Sequence, residues 1–164
     1  MIPRYSQKII TGSRDQTIKV WDIHTAACIK TLGYGHTETP TALVPAPGNA
    51  IAGARTSSIS TAEHHSASVL CLQFDDEILV SGSSDHTCII WSLPSYTPLQ
   101  RLRHHTAGVL DVCFDKKHIV TCSKDTTICV WDRKTGGLLR QFTGHCGPVN
   151  AVVCAIYTPH EISY

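Results

Sequence analysis

The chain has 164 residues, 42% of them hydrophobic and only 16% charged, with a formal net charge of +1. A charge so close to zero gives no electrostatic case for binding nucleic acid or an anionic membrane. No apolar run reaches the roughly 18 residues of a membrane span, and no signal-peptide pattern is read at the start. The abundance of Val, Ile, Thr, Ser and Gly points to a soluble all-β protein.

In chain order, the first recognisable unit begins near Lys8 and carries Thr11-Gly-Ser-Arg-Asp15-Gln-Thr17-Ile-Lys-Val-Trp21-Asp22. Residues 1–32 read as a partial blade that has strands two to four and lacks its opening strand. Residues 33–63 hold Pro40, Pro45, Pro47, Gly48 and Gly53 in a Thr/Ser/Ala background without periodicity. They read as a flexible inserted loop and an unregulated spacer. Residues 64–104 predict four short strands: Val69–Phe74, Ile78–Ser81, Thr87–Trp91 and Leu99–Leu102. Residues 105–144 repeat them as Val109–Phe114, His118–Thr121, Thr127–Trp131 and Leu138–Phe142. Short β-branched runs bounded by Gly, Asp, Ser and Pro are the expected strand signal. Residues 145–164 start a further unit at Val149–Cys154 and then diverge into a tail.

The two full units align without a gap at a period of 40: His65/His105, Val69/Val109, Leu70/Leu110, Phe74/Phe114, Asp85/Asp125 and Trp91/Trp131 are identical pairs. A third His, His145, continues the series. A period of about 40–45 residues ending in Trp-Asp reads as propeller blades. One blade cannot bury its own apolar faces and must stack on neighbours, and roughly 4–8 blades close a ring. About three four-stranded antiparallel blades are too few, so the chain reads as an open arc, a fragment of a propeller. An open arc exposes two blade faces and is expected to self-associate or to be poorly soluble.

The eight cysteines include no C-x-x-C pair, and most fall inside predicted strands. They are expected to be reduced, buried apolar residues, which favours a cytoplasmic or nuclear protein over a secreted one. The doublets His64-His65 and His104-His105 suggest metal at first sight. Adjacent residues entering a strand point to opposite faces, so neither doublet supplies two ligands. No metal or other cofactor is expected.

His65, Ser81 and Asp85, and equally His105, Thr121 and Asp125, have the residue types of a catalytic triad. A nucleophilic site would occur once, whereas this set recurs. It is better read as a buried hydrogen-bonded network in which the Asp accepts from His and turn amides and the Trp indole finds an acceptor. The network residues are Thr11, Asp15 and Trp21; His65, Ser81, Asp85 and Trp91; His105, Thr121, Asp125 and Trp131; and His145. No catalytic residue is expected.

The motifs Thr11-Gly-Ser-Arg-Asp15…Trp21-Asp22, Ser81-Gly-Ser-Ser-Asp85…Trp91 and Thr121-Cys-Ser-Lys-Asp125…Trp131-Asp132 resemble the WD-repeat family, over residues 8–32 and 64–154. Val69-Leu-Cys-Leu-Gln-Phe-Asp-Asp76 and Val120-Thr-Cys-Ser-Lys-Asp125 further resemble blades of F-box/WD-repeat proteins, the substrate receptors of SCF ubiquitin ligases. The β-transducin-repeat-containing F-box proteins are the most similar group. That resemblance implies a protein partner or phosphorylated peptide (a degron) bound on the face of the strand 2–3 turns. It implies contacts from Arg14, Ser84 and Lys124, just before each turn Asp, and from Ser68, Leu70, Leu110 and Asn150 near the first strands. Arg and Lys suit phosphate, Ser and Asn add neutral hydrogen bonds, and the leucines suit an apolar side chain. The alternative is a generic WD scaffold of another signalling or RNA-processing complex.

Overall fold

A computed structural model describes residues 8–33 and 64–154. The predicted insertion, from residue 34 on, and the divergent tail, from residue 155 on, fall outside the described residues. Every described element is a strand. Blade I holds β1 (Lys8–Gly12), β2 (Ile18–Asp22) and β3 (Cys28–Leu32). Blade II holds β4 (Val69–Phe74), β5 (Ile78–Ser83), β6 (Thr87–Ser92) and β7 (Pro98–Arg103). Blade III holds β8 (Val109–Phe114), β9 (His118–Ser123), β10 (Ile128–Asp132) and β11 (Leu138–Phe142). Each sheet is an antiparallel meander in chain order, so the fold is all-β, an open arc of three blades.

The turns explain why the chain reverses where it does. Gln16, His86 and Thr126 sit at φ 73°, 70° and 71°, each directly after the turn Asp. The Asp carboxylate holds that strained corner by accepting from the amide and hydroxyl two residues on, as Asp85 Oδ1 does from Thr87 N (3.0 Å) and Thr87 Oγ1 (2.6 Å). At the other end of the blades Ala26, Tyr96 and Gly136 repeat a second left-handed position.

Because strand side chains alternate, each blade shows one apolar set to each neighbour. Ile18 and Leu32 of blade I pack with Val69, Leu79, Ile89, Trp91 and Leu93 of blade II. The opposite face of blade II, with Ile78, Val80, Cys88, Ile90 and Leu102, packs on Val109, Val112, Phe114, Ile119, Cys129 and Trp131 of blade III. Gly82 lets the seam close: a Cβ there would lie 2.5 Å from Cys71 Sγ and 2.8 Å from Val109 Cγ1. Polar clamps finish the seams. Val69 N donates to Ser13 O (2.9 Å) between blades I and II. Phe114 N donates to Gln73 Oε1 (2.9 Å), Gln100 Nε2 to Thr135 O (2.8 Å) and Arg133 Nη2 to Asp75 Oδ2 (2.6 Å) between II and III.

Two expectations need correction. Residues 149–154 form no regular strand; Val149 N donates to Ser123 O (3.0 Å) and Val152 N to the Asp111 carboxylate (2.9 Å), which holds the segment against blade III without a ladder of its own. The cysteines are not all free, since Cys113 and Cys154 form a disulfide. Cys113 lies in β8, at the edge of its sheet, and the C-terminal segment brings the distant Cys154 alongside it, a meeting that spacing alone does not reveal. Cys28, in β3, is exposed, whereas the strand thiols of blades II and III fit the reading of inert apolar residues: burial pushes Cys71 up to about 12 and Cys129 to about 11.

Candidate functional site

The triad look-alike is real in geometry and closed to chemistry. Trp91 Nε1 donates to Ser81 Oγ (2.9 Å), Ser81 Oγ meets His65 Nε2 (2.9 Å), and His65 Nδ1 meets Asp85 Oδ2 (2.9 Å). An indole N–H can only donate and a carboxylate can only accept, so the chain runs Trp91 to Ser81 to His65 to Asp85 in one direction. Blade III repeats it through Trp131, Thr121, His105 and Asp125 at 3.0, 2.8 and 2.9 Å. Both hydroxyls have no exposed surface, and each already accepts from an indole. A nucleophile needs an approach path for its substrate, and burial closes it at both hydroxyls.

Burial works to raise the Asp85 carboxyl, but hydrogen bonds from His65, Thr87 and the Ser66 amide outweigh it and hold the group well below the usual carboxylate range. Asp125 behaves alike, burial being outweighed by Thr127, the Thr106 amide and His105, and lies at about 2. In blade I, Trp21 Nε1 still donates to Thr11 Oγ1 (2.9 Å) and Asp15 caps Thr17. No His joins this set among the described residues. His145 is exposed and makes no such bonds among them either.

Arg101 is a member of the blade II network that the sequence did not suggest. Its guanidinium donates to Thr87 Oγ1 (2.8 Å), Asp85 Oδ2 (3.3 Å) and the His64 carbonyl. The position 40 later is Gln141, whose Oε1 instead meets His104 Nε2 at 3.2 Å. The repeat masks this role because the residue type changes between blades.

The expected contact residues lie at one end of the strands. Arg14, Ser84 and Lys124 occupy the β1–β2, β5–β6 and β9–β10 turns, and Arg14 and Lys124 are exposed. Ser68 Oγ donates to Arg14 O (3.5 Å), and Ser84 N donates to Ser68 O (2.9 Å), so these three form a line across the first seam. Leu70 and Leu110 are the extra residues of two β-bulges: Val69 pairs with Ser83 and Cys71 with Gly82, while Val109 pairs with Ser123 and Asp111 with Cys122. A bulge takes one side chain out of the pleat, and Leu70 is 44% exposed as a result. Leu70 reaches towards Gly108 at the second seam. Asn150 is exposed beside Val149, where the C-terminal segment crosses blade III. The bulges have no residue signature in the sequence, because they arise from a mismatch in pairing length.

Among the described residues no His, Cys, Asp and Glu group has the makings of a metal site, and no helix is long and apolar enough to cross a membrane.

A family model described as WD domain, G-beta repeat matches residues 2–22, 56–92 and 96–132. The chain is similar to a U3 small nucleolar RNA-associated protein 15 homolog of Gallus gallus, at 34% identity over 53% of this chain and 19% of that protein. It is also similar to F-box/WD repeat-containing protein 9 of Bos taurus, at 29% identity over 58% of this chain and 23% of that protein. Among solved structures it resembles that of U3-55K, with a TM-score of 0.65 and 18% identity, covering 90% of this chain and 39% of that one. The chain thus spans about a fifth of the length of these two curated relatives.

Proposed function

The chain belongs to the WD40 repeat family, which matches more than half of it, and from that premise we propose that it is a protein-binding scaffold of an RNA-processing assembly. We read it, with its family, as a non-enzymatic scaffold, and its two triad-like groups are buried and bonded to indoles. The observation that carries the binding reading is the strip from Arg14 through Ser68, Ser84, Leu70, Leu110 and Lys124 to Asn150. It draws residues from three blades and the C-terminal segment onto one face. It combines two exposed cations, small polar groups and leucines turned out by bulges, which suits an extended segment of a protein partner. Likeness to the U3-associated relative favours an RNA-processing assembly in the nucleus, held through protein contacts. The test is sedimentation of the tagged chain with particles containing U3 RNA. The chain is expected in the particle fractions, and Arg14→Ala with Lys124→Ala is expected to release it. Migration of the unaltered chain as a free protein overturns this reading.

A second reading is supported by the two exposed cations of the strip together with the F-box relative. Arg14 and Lys124 would bind phosphates of a degron, in an F-box/WD protein that directs ubiquitination. Among the described residues neither head group is engaged in an ion pair. A phosphopeptide should then bind and its unphosphorylated twin should not. Equal binding of the two removes this reading and leaves the scaffold.

A further inference from the structure

A groove of about 580 Å³ runs along the outer part of the seam between blades II and III, at the end of the strands opposite the strip. The ladders establish the opposition: the strip lies where Val69 pairs with Ser83, whereas the groove wall at Glu77 and Ile78 lies beyond Phe74 and Leu79. Its floor is apolar, with Ile90 and Leu99. Leu99 is turned outward by the bulge between Ile90 and Trp91 and is 60% exposed.

The charges on the wall divide into spent and unspent. Arg133 is spent: it bridges Asp75 and Glu77 (2.6 and 3.1 Å) and lies over the Phe114 ring at 5.0 Å. Asp132 is spent on its own turn, accepting from the amides of Lys134 and Thr135. His118 faces Asp115 at 3.5 Å. Lys116, Lys117 and Lys134 are left, all exposed, on two neighbouring turns, and among the described residues their ammonium groups make no hydrogen bond or ion pair. Three unpaired cations around an apolar floor complement an anionic ligand that also carries an apolar group.

We propose that this groove is a second docking site, for an acidic peptide segment of a protein partner whose carboxylates meet Lys116, Lys117 and Lys134 and whose apolar side chain rests on Leu99. A peptide fits better than a nucleic acid strand. Among the described residues no Phe, Tyr or Trp lines the groove to stack on a base. Glu77 stands in the wall and opposes a uniform polyanion. The site is separate from the strip, so one scaffold can hold two partners on opposite faces.

The test is fluorescence anisotropy on the full chain with a labelled peptide of about ten residues, Asp and Glu around one central Leu. Binding should weaken as salt rises. Lys116→Glu, Lys117→Glu and Lys134→Glu together should weaken it by about tenfold or more. Replacing the central Leu of the peptide by Ser should weaken it too, and Arg14→Ala with Lys124→Ala should leave it unchanged. An unaltered urea midpoint shows that the triple variant remains folded. Unchanged affinity in that variant, indifference to the central Leu, or tighter binding of an oligouridylate of equal charge would each overturn the proposal.

Discussion

Blades II and III carry the same pattern and differ in how much company they have. Blade II has a neighbouring blade on both faces; among the described residues blade III has one on a single face. Val80, Cys88, Ile90 and Leu102 are nearly inaccessible, yet the residues 40 later, Val120, Ile128, Val130 and Phe142, are only half-buried or exposed. The contrast is sharpest between Leu102 at 2% and Phe142 at 50%. Blade I shows the mirror case, where Trp21 is half-buried while Trp91 and Trp131 are buried. A repeat therefore specifies which residues are prepared for burial, and the neighbouring blade completes it.

The largest test of this contrast is a pair of truncations followed by urea denaturation. Leu102→Ala should cost about 2–5 kcal/mol, because it empties a filled seam. Phe142→Ala should cost less than about 1 kcal/mol, because its side chain already meets water. Equal losses would mean that the open face of blade III is covered in solution, as self-association of the arc would do. A glycine pair comes next. Gly82→Ala should cost about 1–3 kcal/mol by driving a methyl into Cys71 and Val109. Gly147→Ala meets nothing within 4 Å and should stay within about 0.5 kcal/mol of neutral.

The hydrogen-bonded networks offer a comparison of blade II with blade I. Ser81→Ala strands a buried indole N–H and should cost about 1–3 kcal/mol. Thr11→Ala should cost less, because the partner Trp21 lies in an exposed pair that water can serve. The smallest expected effect is in acid. Asp85 and Asp125 are depressed in the folded chain, so their contribution is complete above the ordinary carboxylate value of 3.8. As pH falls below that, the unfolded chain takes up protons first, and the contribution of Asp125 is lost by about pH 2. Asp85→Asn or Asp125→Asn should flatten the acid limb of a stability profile. Asp15→Asn in blade I should change it less, since Asp15 has no His partner among the described residues and is open to solvent. An acid limb unchanged in all three variants would remove these carboxylates from the account.

Strand type, blade order and the recurring network could be read from the chain. Alternation, turn chemistry and a period of 40 are local properties, and each repeat tested the last: His65, Ser81, Asp85 and Trp91 recur as His105, Thr121, Asp125 and Trp131. The strip was legible only as turn positions implied by resemblance. Its leucines emerge through bulges, and a bulge depends on how two strands share length. Arg101, the clamp of Arg133 on Asp75 and Glu77, the meeting of Cys113 with Cys154 and the lysine-rimmed groove were not legible. Each depends on residues from different strands or blades being carried together. Sequence determines the alternation of side chains within a blade, because that follows from backbone geometry alone. Which face is sealed, which charge is spent and which cavity stays open are decided only when blades pack, since burial and pairing belong to the space between them.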